Sequence, residues 1–354
     1  MRVLMAAGIY SLSGASTIIE NLTDKLSEKG VDVTIGALKF KRIPPKAACS
    51  VSRLPIYNVS KLKRFLDNFD IIHSHHPVTN YLALLSNNTF IYHFHGAPNF
   101  GRENLYRFSM LSSIKITGHR FDAIIAVSET TRTELKQYFN LDKIHVIYNG
   151  VDTNLFKPRL DERVRKGTPQ YLFVGNLYGY KKVEELILAL KEVIKTYPKA
   201  HLLIVGEGYA YAKLVNLVRR LGLQKHVSFV GFASHSELPY YYSSCDVYVT
   251  ASRCESFSLP LLEAWACGTP VVASSIAGHA ELLSKSKAGR SYVAGNVEDL
   301  CKSMIAVYEQ RAMLRKCALS FAKENDWSIV TNKVLRIYNN LVKERRSYGA
   351  LTSD

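Results

Sequence analysis

Residues 245–283, CDVYVTASRCESFSLPLLEAWACGTPVVASSIAGHAELL, decide how the chain is read. Apolar side chains alternate at Val247, Val249 and Ala251, as in a short buried strand. A loop follows, and residues 259–267, LPLLEAWAC, read as a helix. Pro260 suits a first turn, where a missing N–H costs nothing, Ser256 or Ser258 can cap it, and Gly268 with Pro270 marks the stop. Val271-Val272-Ala273 starts the next strand. Glu255 therefore sits in a loop after a strand, and Glu263 lies eight residues on, inside the helix that the loop enters.

In open parallel α/β sheets, ligands bind beyond the carboxyl ends of the strands, where helix N-termini favour anions. A carboxylate there would repel phosphate, so Glu255 and Glu263 fit neutral hydroxyls better. A ligand with hydroxyls on both sides of a phosphate satisfies this: a nucleotide sugar. The plainer reading is an exposed loop glutamate and a helix glutamate complementing the dipole. Spacing alone leaves both open.

Residues 255–274, ESFSLPLLEAWACGTPVVAS, resemble the E-x7-E signature of retaining glycosyltransferases of the two-Rossmann GT-B type, family 4 (glycosyl transferases group 1), usually written E-G-F-G-L-P-x-L-E-A-x-A-x-G-x-P-V-V-A. Further likenesses run in matching order. They are Ser13-Gly14 where the family has Gly-Gly, Asp70–Ile–Ile–His73–Ser–His75 for D-x-x-H-x-H, and His93-Phe94-His95-Gly96 for T-x-H-G. The series continues with residues 144–152, IHVIYNGVD, followed by Phe156-Lys157-Pro158, and with Val174-Gly175-Asn176 leading to Lys181 for V-G-R-L-x-x-x-K-G.

The resemblance implies an α/β GT-B architecture. Residues 1–158 are expected to form an N-terminal acceptor-side Rossmann-like domain and 159–170 a polar linker. Residues 171–326 would form the nucleotide-sugar domain, and 327–346 a helix crossing back onto the first. Strand–helix alternation agrees: Val3 to Ala7 strand, Thr17 to Glu28 helix, Val31 to Ala37 strand, and a helix from Val183 to Thr196.

The resemblance also implies roles. Glu255 would hold sugar hydroxyls beside backbone groups of Phe257, Ser258 and Leu259, and Glu263 the ribose. Lys181 matches the lysine that binds the donor diphosphate, while Asn176 stands where the family has arginine. Lys182 stands where it has glycine and would restore the charge. Ser13 and Gly14 would offer backbone N–H groups, Gly206 lines the donor side, and Phe232 follows the strand whose exit loop cradles the base. His95 matches the residue touching the donor sugar, with no role as a base assigned. The expected reaction moves a hexosyl or N-acetylhexosaminyl unit from a nucleotide diphosphate sugar to a hydroxyl acceptor on a glycolipid, polysaccharide or small molecule, with retention. The alternative is a non-catalytic or partner-dependent nucleotide-sugar-binding protein, which Asn176 favours.

Composition sets the outer limits. The chain has 354 residues, long enough for two domains, and its 47% hydrophobic content is that of a folded globular protein. No run reaches the roughly 18–20 apolar residues of a spanning helix, and the apolar start reads as a strand rather than a signal peptide, so a cytoplasmic protein is expected. Cysteines 49, 245, 254, 267, 301 and 317 form no C-x-x-C pair, so reduced thiols are expected and zinc is not. Histidines 73, 75, 93 and 95, spaced two apart near two strand ends, invite a metal. No Asp or Cys completes a ligand set and GT-B enzymes generally need none, so no metal or cofactor is expected. His201–Gly208 ends in G-x-G, but Tyr211 stands where a third glycine belongs and no acid follows about twenty positions on, which argues against NAD.

The net charge of +16 suits an anionic partner. No helix-turn-helix, RNP or zinc-finger pattern accompanies it, so nucleic acid is not expected. From Lys39 to Arg64 there are eight Lys or Arg and no acid, and SKLKRFL puts Leu62, Phe65 and Leu66 on one helical face. Such a segment can lie peripherally on anionic lipid at the cytosolic membrane face, or be a solvated helix on the rim of the acceptor cleft. Both readings stand here.

Overall fold

The computed structural model describes residues 1–11, 14–42, 44, 49–96, 103–159, 161 and 164–351. It divides into two units, Met1–Gly150 with Trp327–Asp354, and Val151–Asp326. Each is a parallel sheet flanked by helices.

The first unit contains β1 (Arg2–Tyr10), β2 (Asp32–Phe40), β3 (Ser50–Arg53), β4 (Ile71–Ser74), β5 (Thr89–Phe94), β6 (Ala123–Ala126) and β7 (Ile144–Val146), in the order β3-β2-β1-β4-β5-β6-β7. Every pairing is parallel. Its helices are α1 (Gly14–Glu28), α2 (Val59–Leu66), α3 (Glu103–Thr117) and α4 (Glu129–Leu135). α1 forms because Ile18, Ile19, Leu22 and Leu26 recur at helical spacing and bury together.

The second unit contains β8 (Gln170–Val174), β9 (His201–Val205), β10 (Val227–Gly231), β11 (Val247–Thr250), β12 (Val271–Ser274) and β13 (Gly289–Tyr292), in the order β10-β9-β8-β11-β12-β13. Its helices are α5 (Val183–Thr196), α6 (Tyr211–Arg220), α7 (Leu238–Ser243), α8 (Leu259–Ala266), α9 (Ala277–Ser286), α10 (Val297–Glu309) and α11 (Arg311–Glu324). The central strands β8, β9, β11 and β12 are largely apolar because both their faces are covered. Tyr171, Phe173, Leu202, Ile204, Val247 and Val249 enter one core. Their neighbours Leu172, Leu203, Val205 and Tyr248 enter the other, with Trp265, whose indole N–H donates to the Ala288 carbonyl at 2.9 Å.

The final helix, α12 (Trp327–Leu351), belongs to the first unit, where it packs on α1 and β5. Among the described residues no helix is long and apolar enough to cross a membrane.

In both sheets strand order reverses once, between β1 and β4 and between β8 and β11. At such a reversal the loops leaving the two strands turn in opposite directions and open a crevice at their carboxyl ends. The segments that carry Gly14, His75, Lys181 and Glu255 leave these strands.

Four expectations need correction. Residues 151–158, expected to close the first domain, belong to the second unit. Phe156 is buried there, 6.1 Å from the Tyr242 ring and 4.9 Å from that of His235. The expected linker is also tied down: Arg159 N–H donates to Ser243 Oγ at 2.9 Å, and Gln170 already begins β8. Ser258 occupies the N-cap position of α8 but its hydroxyl makes no capping bond, so the turn is started by Pro260 and the extended backbone of Ser258. Finally, the apolar face of α2 is not offered to lipid. Leu62 and Leu66 are buried in the core with Leu54, Ile72 and Phe90, and Phe65 packs against it. What is exposed is the preceding turn and the first residue of the helix, with Ile56, Tyr57 and Val59 at 55%, 82% and 61%. Residues 43 and 45–48 of the basic stretch lie outside the described residues.

Candidate functional site

In the second unit the crevice lies between the loop after β8 and the loop after β11. Lys181 comes from the first and Glu255 from the second. Their side chains meet in an ion pair, 15% and 18% exposed. Burial pulls the Lys181 ammonium down, but the Glu255 carboxylate more than offsets this and leaves its pKa raised, so the lysine is charged at neutral pH. Ser252 Oγ donates to Glu255 Oε1 at 3.1 Å.

The backbone holds these loops in place. Arg253 N–H donates to the Tyr180 carbonyl at 2.8 Å and its guanidinium pairs with Glu185 on α5. Lys181 N–H donates to the Tyr178 carbonyl at 2.9 Å, and Gly179 N–H to the Tyr209 hydroxyl at 2.7 Å. A Cβ on Gly278, in the first turn of α9, would come within 2.2 Å of the Glu255 carbonyl, so α9 braces that loop by close backbone approach. His279, fully buried next in sequence, lies 3.2 Å from Ser274 Oγ through Nδ1, and burial lowers its pKa to about 4.

Glu263 is largely buried in α8. Tyr242 donates its hydroxyl to Glu263 Oε2 at 2.8 Å, and His235 Nε2 lies 3.7 Å from Oε1. Burial, and then the charge of Glu263, hold the Tyr242 phenol well above its ordinary pKa, so it stays a donor. Tyr248, on β11, is raised by burial and then by both Glu255 and Glu263. The two carboxylates thus act on one buried phenol.

Lys182 adopts the left-handed conformation, φ 50° and ψ 40°, where the family pattern has glycine, and its ammonium lies 3.7 Å from Glu184. Asn176 is exposed at the end of the β8 strand, with its carbonyl accepting from Tyr178 N–H. Gly206, at φ 133°, lets the loops after β8 and β9 touch, since a Cβ would lie 2.0 Å from the Gly175 carbonyl. Phe232 follows β10 and is 65% exposed. Phe257 and Leu259 are half-buried and Ser258 is buried.

In the first unit the crevice lies between the loops after β1 and β4. Ser13 lies outside the described residues, and Gly14 opens α1 and is exposed. His75 follows β4 and His95 follows β5, with His75 Nδ1 and His95 Nε2 3.1 Å apart. Burial, and then the proximity of His76, lower His95 to about 4. His95 is therefore a neutral hydrogen-bonding group.

Sequence reasoning passed over Arg253, Tyr242, His279 and Tyr338. Only Arg253 carried a local signal, as a cation two positions before Glu255. Tyr242 and Tyr338 act through contacts with residues distant in the chain, on Glu263 and His73.

Two Rossmann-like parallel sheets, each with its reversal crevice, define a protein of the GT-B class. Residues 157–322 match Glycosyl transferases group 1, and residues 12–155 match Glycosyltransferase Family 4. The chain belongs to this family. It is 31% identical to the glycogen synthase of Mycobacterium tuberculosis H37Rv over 223 residues, 61% of this chain and 54% of that protein. The chain thus spans about half the length of that relative. Against the uncharacterized glycosyltransferase MJ1178 of Methanocaldococcus jannaschii it is 26% identical over 368 residues, 96% of this chain and 99% of the other. The structure of Anabaena Alr3699/HepE in complex with UDP superposes with a TM-score of 0.81 at 20% identity, covering 96% of this chain and 100% of that one.

Proposed function

We propose that this protein is a retaining glycosyltransferase that takes a hexosyl or N-acetylhexosaminyl unit from a nucleoside diphosphate sugar and transfers it to a hydroxyl acceptor. The observation that carries the reading is the meeting of Lys181 and Glu255 at the β8/β11 reversal, with Glu263 on the helix that follows. Departure of the nucleoside diphosphate builds negative charge on its phosphates and an oxocarbenium-like centre on the sugar. Lys181, charged and anchored, would take the phosphate charge with help from Lys182. Glu255, freed as the lysine turns to phosphate, would accept from sugar hydroxyls beside the backbone of Phe257, Ser258 and Leu259. Glu263, fixed by Tyr242, would accept from the ribose. In this scheme the lysines do the electrostatic work on the diphosphate, without a cofactor. The structures of Anabaena HepE with UDP and UDP-glucose support a uridine donor. Peripheral contact with anionic lipid would run through Ile56, Tyr57 and Val59 with the exposed Lys61, Lys63 and Arg64, which suits a lipid-linked acceptor.

The test is a thermal-shift and calorimetric panel of UDP-, GDP- and ADP-sugars, followed by donor hydrolysis and acceptor transfer. One donor is expected to bind and turn over, with both properties lost in Glu255→Ala. Binding without turnover would favour the non-catalytic reading that Asn176 raises. No binding by any donor to folded protein refutes the proposal.

A further inference from the structure

On the face of the first sheet covered by α12, four imidazoles come together. β4 and β5 are parallel neighbours, paired His73 to Ile91 and Ser74 to Tyr92. The period of two therefore sets His73 and His75 beside His93 and His95 in two adjacent columns. His73 and His75 lie 4.4 Å apart between ring centroids, and His75 and His93 4.9 Å. His73, His75 and His93 are all buried.

Most of their ring nitrogens lack a hydrogen-bond partner among the described residues. His73 Nδ1 lies 2.6 Å from the hydroxyl of Tyr338 on α12, and His75 Nδ1 3.1 Å from His95 Nε2. His73 Nε2, His75 Nε2 and both nitrogens of His93 are buried and find no hydrogen-bond partner among the described residues. An unsatisfied buried polar group costs about 1–3 kcal/mol, so several in one place call for an occupant. One ring nitrogen from each of His73, His75 and His93 lies within 4.8 Å of the others.

We propose that His73, His75 and His93 form a site for a late first-row divalent cation, zinc by the chemistry of three imidazoles. A metal-bound histidine commonly donates its second ring N–H to a neighbour, which fixes its tautomer. The structure supplies that neighbour twice. With Nδ1–H of His73 donating to the Tyr338 oxygen and Nδ1–H of His75 donating to His95, the lone pairs fall on the two unpartnered Nε2 atoms. Burial lowers the pKa of all three rings well below the ordinary histidine value, which keeps those lone pairs available at neutral pH.

One adjustment is required. The His73 and His93 rings are nearly parallel, 8° apart with centroids separated by 5.2 Å, and two offset parallel rings cannot aim at one ion. His93, which no hydrogen bond restrains, turns about its soft χ2 torsion. Zinc–nitrogen bonds of about 2.0–2.1 Å at tetrahedral angles set the nitrogens about 3.3 Å apart, so the His73 and His75 rings must draw in with it from their present spacing of up to 4.8 Å. The ion would lock the column that positions His95 through His75.

Metal content is read without donor or acceptor, so this proposal stands or falls apart from the transferase reading. Untagged full-length protein is analysed by mass spectrometry for bound metal, then stripped with chelator and titrated with zinc and with cobalt(II). An equimolar uptake, a zinc-dependent rise in Tm and the visible bands of tetrahedral cobalt are expected. His93→Phe should abolish uptake. Tyr338→Phe, a one-atom change that spares the fold, should weaken zinc binding roughly 10- to 100-fold. Substoichiometric uptake by the wild-type chain, as when buried water fills the site, overturns the proposal. So does undiminished affinity in folded Tyr338→Phe, whatever becomes of His93→Phe.

Discussion

Replacing Lys181 by alanine should lower stability and donor affinity together, and the two losses can be separated. Lys181 and Glu255 are both more than four-fifths buried. Removing the lysine leaves a carboxylate with Ser252 Oγ, 3.1 Å away, as its remaining side-chain donor. Breaking a fully buried pair costs about 3–5 kcal/mol. Because each partner here keeps some contact with water, about 1–3 kcal/mol is expected, or a fall in Tm of roughly 2–4 °C per kcal/mol for a unit of this size. Charge-assisted bonds to the donor diphosphate are worth about 1.5–3 kcal/mol, so affinity should fall about 10- to 150-fold. The double substitution Lys181→Met with Glu255→Gln removes both charges and leaves no carboxylate stranded. It should recover most of the stability while donor binding stays lost. Differential scanning fluorimetry and isothermal calorimetry on wild type, Lys181→Ala and the double variant read the two losses separately. If Lys181→Ala binds the donor as tightly as wild type, the lysine serves the fold alone. If the double variant regains affinity along with stability, the loss in the single variant was collapse of the loop and the phosphate role is wrong.

Acid should weaken the fold through its buried histidines. His279 is fully buried with its pKa lowered to about 4. A depressed histidine binds its proton more readily when unfolded, so its contribution is whole above about pH 6.5 and drains as pH falls towards 4. Between pH 8 and pH 5 it should cost about 2 kcal/mol; urea midpoints at the two pH values measure it, and equal midpoints would refute it. Lys182→Gly should raise stability by about 0.5–1 kcal/mol, since the left-handed position costs a side-chain-bearing residue about 1–2 kcal/mol and the exposed Glu184 contact returns little. A lower Tm in that variant would show that its side chain holds the loop. Tyr57→Ser with Val59→Ser should reduce co-sedimentation with phosphatidylserine vesicles, whereas Lys61→Ser and Lys63→Ser should mainly reduce its salt dependence. Vesicle binding that ignores both pairs of changes removes the lipid reading.

The amino-acid order determined whatever depends on near neighbours. The strand at residues 247–251, the helix opened by Pro260, and the eight-residue interval between Glu255 and Glu263 follow from periodicity and turn chemistry over a few residues. The left-handed backbone at Lys182 does not, since a lysine by itself disfavours that conformation and only the structure shows it. Tertiary structure decided what depends on strand order. Lys181 and Glu255 are 74 residues apart and meet because β8 and β11 flank the reversal, an adjacency that no local pattern encodes. The four histidines converge for the same reason, through the neighbouring register of β4 and β5. α2 shows the limit most plainly. Its periodicity specifies an apolar face, but a helix docked on its own sheet and one lying on lipid share that periodicity, and only the packing of Leu62 and Leu66 in the core distinguishes them.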